Sequence, residues 1–466
     1  MFAVHTRLGT SHRALMDILR TDNDLREGPA LTAILELLAQ RRKLDLTDLA
    51  AGEQAHLITA RAKTVLPSEA RLAERLMTSP LIVKFGIDPT AADVHVGHAV
   101  PMILASRFQR MGHRVVFIVG DVTAKIGDPS GQPSNRPQLT DADITQNMAT
   151  YREQVTPFFD FERAEFRFNR EWLTPITLPR LLGVLAMLPA SAALERDDFR
   201  QRLAAGSGLT MAELLYSVVM ALDSVEIAAD VEIGGSDQLL NLQMCRRVMT
   251  GAGQEPEVVI VTTLIEGTDG TTAKMSKSKG NVIGLAFEAG DVFGRVMSAP
   301  DRLLPQWLRA LTELLDPEVE LLLAQRHPMA VKTLLASDLT ATLRGLATAA
   351  ACRRAFAAQF SRRRLSDTPG LPTVSAVQHG HSTVAELLLQ VTGRLAGLKQ
   401  VRRVAAGGGL RLVLEGEAGA DCERSIRLSD ADQSLAEVLA AHAVTAGRAF
   451  LACGRAVVEV RLGSSE

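Results

Sequence analysis

Between Leu81 and Val119 the chain fits a strand, a helix and a second strand into fewer than 45 residues, and no other segment constrains its fold as much. Leu81 to Ile87 is a short β-type apolar run that ends in Asp88-Pro89-Thr90. The spacing predicts a helix from about Gly97 to Met111, with Gly112 as its C-terminal stop. Val115 to Val119 reads as a second buried strand, followed by a glycine-rich stretch from Gly120 to Gly131. A connection this short between two strands that cannot form a hairpin is a βαβ crossover, which demands a parallel sheet. Val258 to Val261 supplies a later strand, and residues 135–230 between them read as mostly helical. The fold class expected is α/β: a doubly wound, Rossmann-like parallel sheet with a helical insertion.

The remainder divides by composition. Residues 1–78 read as an N-terminal helical extension, with Leu31, Ile34, Leu35 and Leu38 and then Leu44, Leu46 and Leu49 at helical spacing. Residues 79–290 hold the sheet, and 291–367 read as a helical domain ending in Arg362-Arg363-Arg364. Asp367-Thr368-Pro369-Gly370-Leu371-Pro372 has the character of a linker. Residues 382–466 then form a small α/β module, with helical stretches before β segments such as Leu410–Leu414 and Ala456–Leu462.

At 466 residues, 47% hydrophobic and 22% charged, the chain is globular material with room for accessory domains. A net charge of −2 advertises no polyanion partner, so RNA would have to be met by local patches. Cys245, Cys352, Cys422 and Cys453 are widely spaced, with no pair at metal-ligand spacing. Reduced thiols and no bound metal are expected. No apolar run reaches the roughly 20 residues of a membrane span, and a cytoplasmic location is expected.

Two motifs about 180 residues apart carry the chemistry: His95-Val96-Gly97-His98 and Lys274-Met275-Ser276-Lys277-Ser278. The first follows a strand and a turn and opens a helix, a position that favours anionic phosphate. His95 and His98 can donate to phosphate oxygens as charge builds, and Gly97 lets a ligand approach the backbone. The second sits between Gly267, Gly270 and Gly280, and its lysines are flexible point charges suited to a departing pyrophosphate. An HxxH alone is more often a surface accident, and a basic run more often a solvated loop. Together, in this order, they suit attack at the α-phosphate of ATP.

With these residues the sequence resembles the class I aminoacyl-tRNA synthetases, and in particular the bacterial tyrosyl branch. The resemblance runs from about residue 80 to 367. It includes Gly86-Ile87-Asp88-Pro89-Thr90, Gly127-Asp128-Pro129-Ser130-Gly131, Ile233-Gly234-Gly235-Ser236-Asp237-Gln238 and Val292 to Ser298, all in family order. It implies ATP contacts at Thr90, His95, Gly97, His98, Lys274 and Lys277, with the ribose at Gly235 and Asp237. It implies that Asp128 and Tyr216 hold the amino acid's ammonium, with Thr123 and Asn169 near the same pocket and Gln238 lining it. Asp223 matches the carboxylate that accepts the substrate's phenol. ATP with Mg²⁺ as substrate, no tightly bound cofactor, tRNA(Tyr) and tyrosine as partners, and a homodimer are likewise implications of the resemblance. So are a tRNA-anticodon-side role for the helical domain and an RNA-binding character for the last module.

Four departures stand out. Met220 occupies a position where the family has Gln, so the ammonium loses a polar partner. Lys84 stands where some relatives carry Tyr, and Leu239-Leu240 replaces an aromatic-Gly pair. The last module holds ten Lys/Arg and ten Asp/Glu, and its one basic cluster is Arg394, Lys399, Arg402 and Arg403. These leave open a specialised paralogue acting on a modified tyrosine or another amino acid, or an inactive RNA-binding paralogue.

Overall fold

The computed structural model describes the chain except residues 1–2, 4–5, 22–24, 26–27, 79, 130–138, 195, 207, 272–274, 276–279, 358–369, 394, 396, 407–408, 415–423, 445–446, 455 and 463–466. Lys274, Lys277, Arg394, Cys422 and the Arg362-Arg363-Arg364 run lie outside the described residues. The chain forms two compact units, 1–350 and 351–466.

The first unit is built on a six-stranded sheet: β1 (Ala62–Leu66), β2 (Ile82–Ile87), β3 (Arg114–Val119), β4 (Glu165–Phe168), β5 (Val231–Gly235) and β6 (Val258–Thr262), in the order β1-β6-β5-β2-β3-β4. All pairings are parallel except β1 with β6. Val115 to Val119 and Val258 to Val261 are almost wholly buried, as expected of parallel strands covered on both faces. The strand order reverses at β2, which puts a crevice beyond its carboxyl end between β3 and β5.

The segment before the sheet folds as α1 (Arg7–Thr21), α2 (Pro29–Arg41), α3 (Ala51–Thr59) and α4 (Glu69–Leu76). It is not purely helical, because β1 lies within it and pairs antiparallel along the edge of β6. Ala-Lys-Thr-Val-Leu has a weak strand pattern of its own; the unpaired edge of β6 supplies the ladder. The stretch 135–230 likewise contributes a strand, β4, to the opposite edge. After these, α5 (Val96–Arg110) ends as Gly112 turns the chain at φ +89°, a backbone region open mainly to glycine.

The helices Ala289–Ser298, Leu304–Leu311, Asp316–Gln325 and Pro328–Arg344 belong to the same unit as the sheet, packing on α1, α2 and α5. The expected separate domain at 291–367 is therefore not a separate body up to residue 350. A buried ion pair fastens the junction. Arg41, 1% exposed, forks onto both oxygens of Glu318 at 2.7 Å, and His12 Nδ1 lies 2.7 Å from Glu318 Oε1. Leu315 N donates to the same carboxylate at 2.7 Å.

The second unit begins ahead of residue 382. Its sheet, in the order β7-β11-β10-β8-β9, includes β7 (Thr373–Ser375) with β8 (Leu410–Leu414), β9 (Arg424–Arg427), β10 (Gly447–Cys453) and β11 (Ala456–Leu462). Helices Val384–Thr392, Leu398–Ala406 and Leu435–Ala441 share its apolar core. Lys399, Arg402 and Arg403 are exposed on one helix at positions that share a face, but Arg402 is engaged by Asp432 at 2.9 Å. Cys245, Cys352 and Cys453 are free thiols. Among the described residues no helix is long and apolar enough to cross a membrane.

Arg41→Met strands Glu318 as a buried carboxylate without its guanidinium. Unfolding by denaturant should show a loss of about 3–5 kcal/mol, and a loss below 1 kcal/mol would mean that this pair does not fasten the N-terminal segment.

Candidate active site

A cleft of about 300 Å³ opens beyond the carboxyl ends of β2, β3, β5 and β6. Thr90, His95, Gly97, His98, Thr123, Asp128, Tyr216, Met220, Asp223, Gly235, Asp237 and Gln238 all line it. Asn169 is fully buried just behind, and Met275 is the one described residue of the lysine motif and also faces the cleft.

On one side stands the start of α5. His95 is its N-cap, with Nδ1 accepting from Gly97 N at 3.1 Å, while His98 Nδ1 accepts from His95 N at 3.3 Å. The two rings lie 4.0 Å apart between centroids, tilted at 42° to each other. A side chain at Gly97 would have its Cβ 2.9 Å from the His95 ring, so the glycine is what lets the imidazole fold back over the helix. Thr90 lies in the preceding turn, which Asn147, Tyr151 and Gln154 hold by donating to the carbonyls of Pro89, Ala91 and Ala92.

The distant lysine motif is brought to this same point by main-chain bonds. Val96 N donates to Ile283 O at 2.9 Å and Leu285 N to Val94 O at 2.8 Å. The base of the lysine loop closes through Thr268 N to Asn281 O at 3.0 Å, and Met275 N reaches Ile265 O at 3.4 Å.

The opposite side is set by the helix Met211–Ile227, capped by a Thr210/Glu213 box. Tyr216, Met220 and Asp223 recur at helical spacing on the face toward the cleft. The Tyr216 hydroxyl donates to Asp88 Oδ2 at 2.8 Å, and Thr123 Oγ1 donates to Asp88 Oδ1 at 2.7 Å. Asn169 Nδ2 donates to Thr123 Oγ1 at 3.0 Å and lies 3.5 Å from Asp223 Oδ2. Trp172 Nε1 donates to Asp223 Oδ1 at 2.8 Å. One relay thus runs from Tyr216 through Asp88, Thr123 and Asn169 to Asp223. Asp128 is held separately, by Gln238 at 2.6 Å and Asn241 at 3.3 Å.

The sequence alone does not mark four of these groups. Asp88 stands there only as part of a turn, although a carboxylate at a central strand's end is a signal in itself. Trp172 and Asn241 carry no motif. Gly120 is required by contact: a Cβ there would stand 2.0 Å from Asp88 Oδ1 and 2.2 Å from Thr123 Oγ1.

The electrostatics are unusual for so small a volume. Burial, with the nearby charges of Asp128 and Asp223, pushes the Asp88 carboxyl up to about 7, against the hydrogen bonds from Thr123 and Tyr216. Burial likewise raises Asp223 to about 6, resisted by Lys84 and by Trp172. Burial and then the Asp88 charge drive the Tyr216 phenol well above its ordinary value.

Beneath Met220, Lys84 Nζ lies 2.7 Å from Glu232 and donates to Ser224 at 2.9 Å and to the Met220 carbonyl at 3.5 Å. Burial opposes the Lys84 ammonium, and Glu232 together with Cys245, Asp223 and Glu257 outweighs it, so the group is raised. Glu257 is hydrogen-bonded to Glu232; burial and then that neighbour's charge raise its carboxyl well above the ordinary range. Glu232, Cys245 and Glu257 have ligand-type atoms within 4.8 Å of one another, with the Lys84 ammonium paired to Glu232.

The sequence matches the family described as tRNA synthetases class I (W and Y) over residues 76–361. The chain belongs to that family. A tyrosine–tRNA ligase of Thermotoga maritima is 37% identical over 74% of this chain and 86% of its own length. One from Idiomarina loihiensis is 39% identical over 69% of this chain and 81% of its own. Among solved structures, a C-terminally truncated mitochondrial tyrosyl-tRNA synthetase of Aspergillus nidulans superposes with TM-score 0.56 at 19% identity, covering 73% of this chain and 98% of that one. The tyrosyl-tRNA synthetase of Archaeoglobus fulgidus, complexed with L-tyrosine, gives 0.52 at 20% identity over 64% of this chain and 99% of that one. These two likenesses concern the fold. In the synthetase family frame, β1 lies ahead of the matched segment.

A carboxyl near 7 that meets a ligand's ammonium must lose its proton, since the cation stabilises only the ionised form. With L-tyrosine as probe, calorimetry at pH 6.5 in buffers of different ionisation enthalpy should show net proton release. That release should fade above pH 8, where Asp88 is already ionised, and vanish in Asp88→Asn. Binding without proton release at pH 6.5 would remove Asp88 from contact with the ammonium.

Proposed function

We propose that this chain is a tyrosine–tRNA ligase: it activates tyrosine with ATP·Mg²⁺ and transfers it to the 3′ end of tRNA(Tyr). The observation that carries the reading is the single cleft shared by the paired histidines, the base of the lysine loop and Asp223 on its relay. The resemblance adds a cytoplasmic homodimer as the working form.

In the first step the carboxylate oxygen of tyrosine attacks the α-phosphorus of ATP; the bond to the β-phosphate oxygen breaks, giving tyrosyl-adenylate and pyrophosphate. His95 and His98 meet the phosphate oxygens as charge grows on them, with Thr90 and the backbone at Gly97 beside them. Lys274 and Lys277 follow the pyrophosphate from the loop. Gly235 and Asp237 take the ribose. In the second step a terminal ribose hydroxyl of the tRNA attacks the acyl carbon and AMP leaves. No side chain of the protein is a nucleophile; positioning and charge supply the rate.

Asp128, Tyr216 and, from the relay, Asp88 hold the ammonium, with Gln238 keeping Asp128 in place. Asp223 accepts the phenol, and Trp172 and Asn169 fix the direction of its carboxylate. A site built to pair a hydroxyl rejects the analogue lacking it by about 10⁴–10⁵. Tyrosine-dependent pyrophosphate exchange tests the proposal, and its absence overturns it. In Asp223→Ala the preference for tyrosine over phenylalanine in that assay should collapse by orders of magnitude, and a preference equal to the parent's would rule out Asp223 as the phenol's partner.

Met220 favours a second reading, a specialised enzyme for a modified tyrosine, because a thioether faces the cleft where the family has an amide. If plain tyrosine is the substrate, Met220→Gln restores a partner worth about 1.5–3 kcal/mol at best. KM for tyrosine should then fall with ATP affinity unchanged. Exchange kinetics on tyrosine that stay the same or worsen in Met220→Gln would instead favour the specialised enzyme.

A further inference from the structure

A second cavity of about 140 Å³ lies on the far side of the β6 terminus from the cleft, between the start of β1, the body of α5 and the helix Leu304–Leu311. Arg61, Arg107 and Arg309 line it, and among the described residues no carboxylate does. The carboxylates that serve these arginines are shared and sit behind them. Asp316 takes Arg61 at 2.6 Å and Arg309 at 3.3 Å. Glu313 takes Arg107 at 3.2 Å and Arg110 at 3.0 Å. Four guanidiniums therefore face two carboxylates, leaving two positive charges unmatched in a largely buried cluster.

The hydrogen bonding is incomplete in the same place. Nε of Arg61 and Nε of Arg107 are buried without a partner, although the Arg107 side chain is only 1% exposed. A planar guanidinium with a free Nε–H is a natural donor to an oxyanion. Water could take those hydrogens but would leave the surplus charge in place. Burial and the neighbouring Arg107 charge both work against protonation of Arg61, which a counterion would relieve. Thr263 is exposed at the rim and gives the cavity an opening to solvent. The volume is below the roughly 300–1,000 Å³ of sites for drug-sized ligands, and suits a single tetrahedral anion with its water.

We infer that this cavity is a binding site for a small free oxyanion of the phosphate class, held by Arg61, Arg107 and Arg309. The anion joins three parts of the first unit: the segment entering β1, the helix that carries the histidine motif, and the helix Leu304–Leu311. The inference stands apart from the catalytic reading, since none of the three arginines lines the cleft.

The test is thermal unfolding of the full chain in rising inorganic phosphate, with chloride keeping ionic strength constant. A saturable rise in Tm is expected, because a ligand of the folded state alone stabilises it by mass action. His98→Asn alters the cleft and should leave the rise intact. Arg309→Met, at a half-buried position that tolerates the change, should weaken the apparent phosphate affinity at least about tenfold, the loss of one charge-assisted contact. Arg61→Met should do the same where it folds. No saturable rise, a rise that needs His98, or one that survives Arg309→Met unchanged would each overturn the inference.

Discussion

The bonds between Val94–Val96 and Ile283–Leu285 are the constraint on which the rest of the site depends. They join the entry to α5 to the exit of the lysine loop, two points almost 190 residues apart in sequence. Each is an ordinary main-chain bond, and neither depends on side-chain identity. Their effect is geometric: they hold the exit of the lysine loop at Ile283 beside the histidine motif, while Met275 N is bonded to Ile265 O on the loop's entry side.

The two ends of the amino-acid pocket are also not independent. Asp88 and Asp223 are linked through Thr123 and Asn169: the Asn169 amide donates both to Asp223 and to Thr123, and Thr123 donates on to Asp88. A change of charge at one carboxyl therefore alters the hydrogen-bond demand on the other. Both acids sit in surroundings that resist their ionised forms, and a bound cation and a bound phenol would relieve them. Two carboxyls raised by burial in one cleft are the usual mark of a place prepared for a ligand.

Much of this was legible in sequence, and the exceptions have a common physical basis. The βαβ unit could be read because its strands are continuous apolar runs and its helix ends at a glycine with no alternative. The site residues could be read where a motif fixes the backbone, as at His95 and Asp237. Strands β1 and β4 could not, since each is an edge strand whose hydrogen bonds come from a neighbour distant in sequence. Trp172 belongs to a segment without a motif; its indole donates to Asp223 across 51 residues of sequence, and nothing local announces that. The cluster at Glu313 and Asp316 is invisible for the same reason, being assembled from four elements.

The antiparallel pairing of β1 along β6 has a consequence for how this chain can be divided. The family segment starts at residue 76, after β1 has ended. A chain trimmed to that segment would keep every residue of the cleft yet bare the flank of Val258-Val259-Ile260-Val261, among the most apolar stretches in the molecule. An open β-edge of that composition is a template for another copy of itself. The N-terminal segment thus acts as a sheath: it keeps the sheet of one molecule from adding to the sheet of the next.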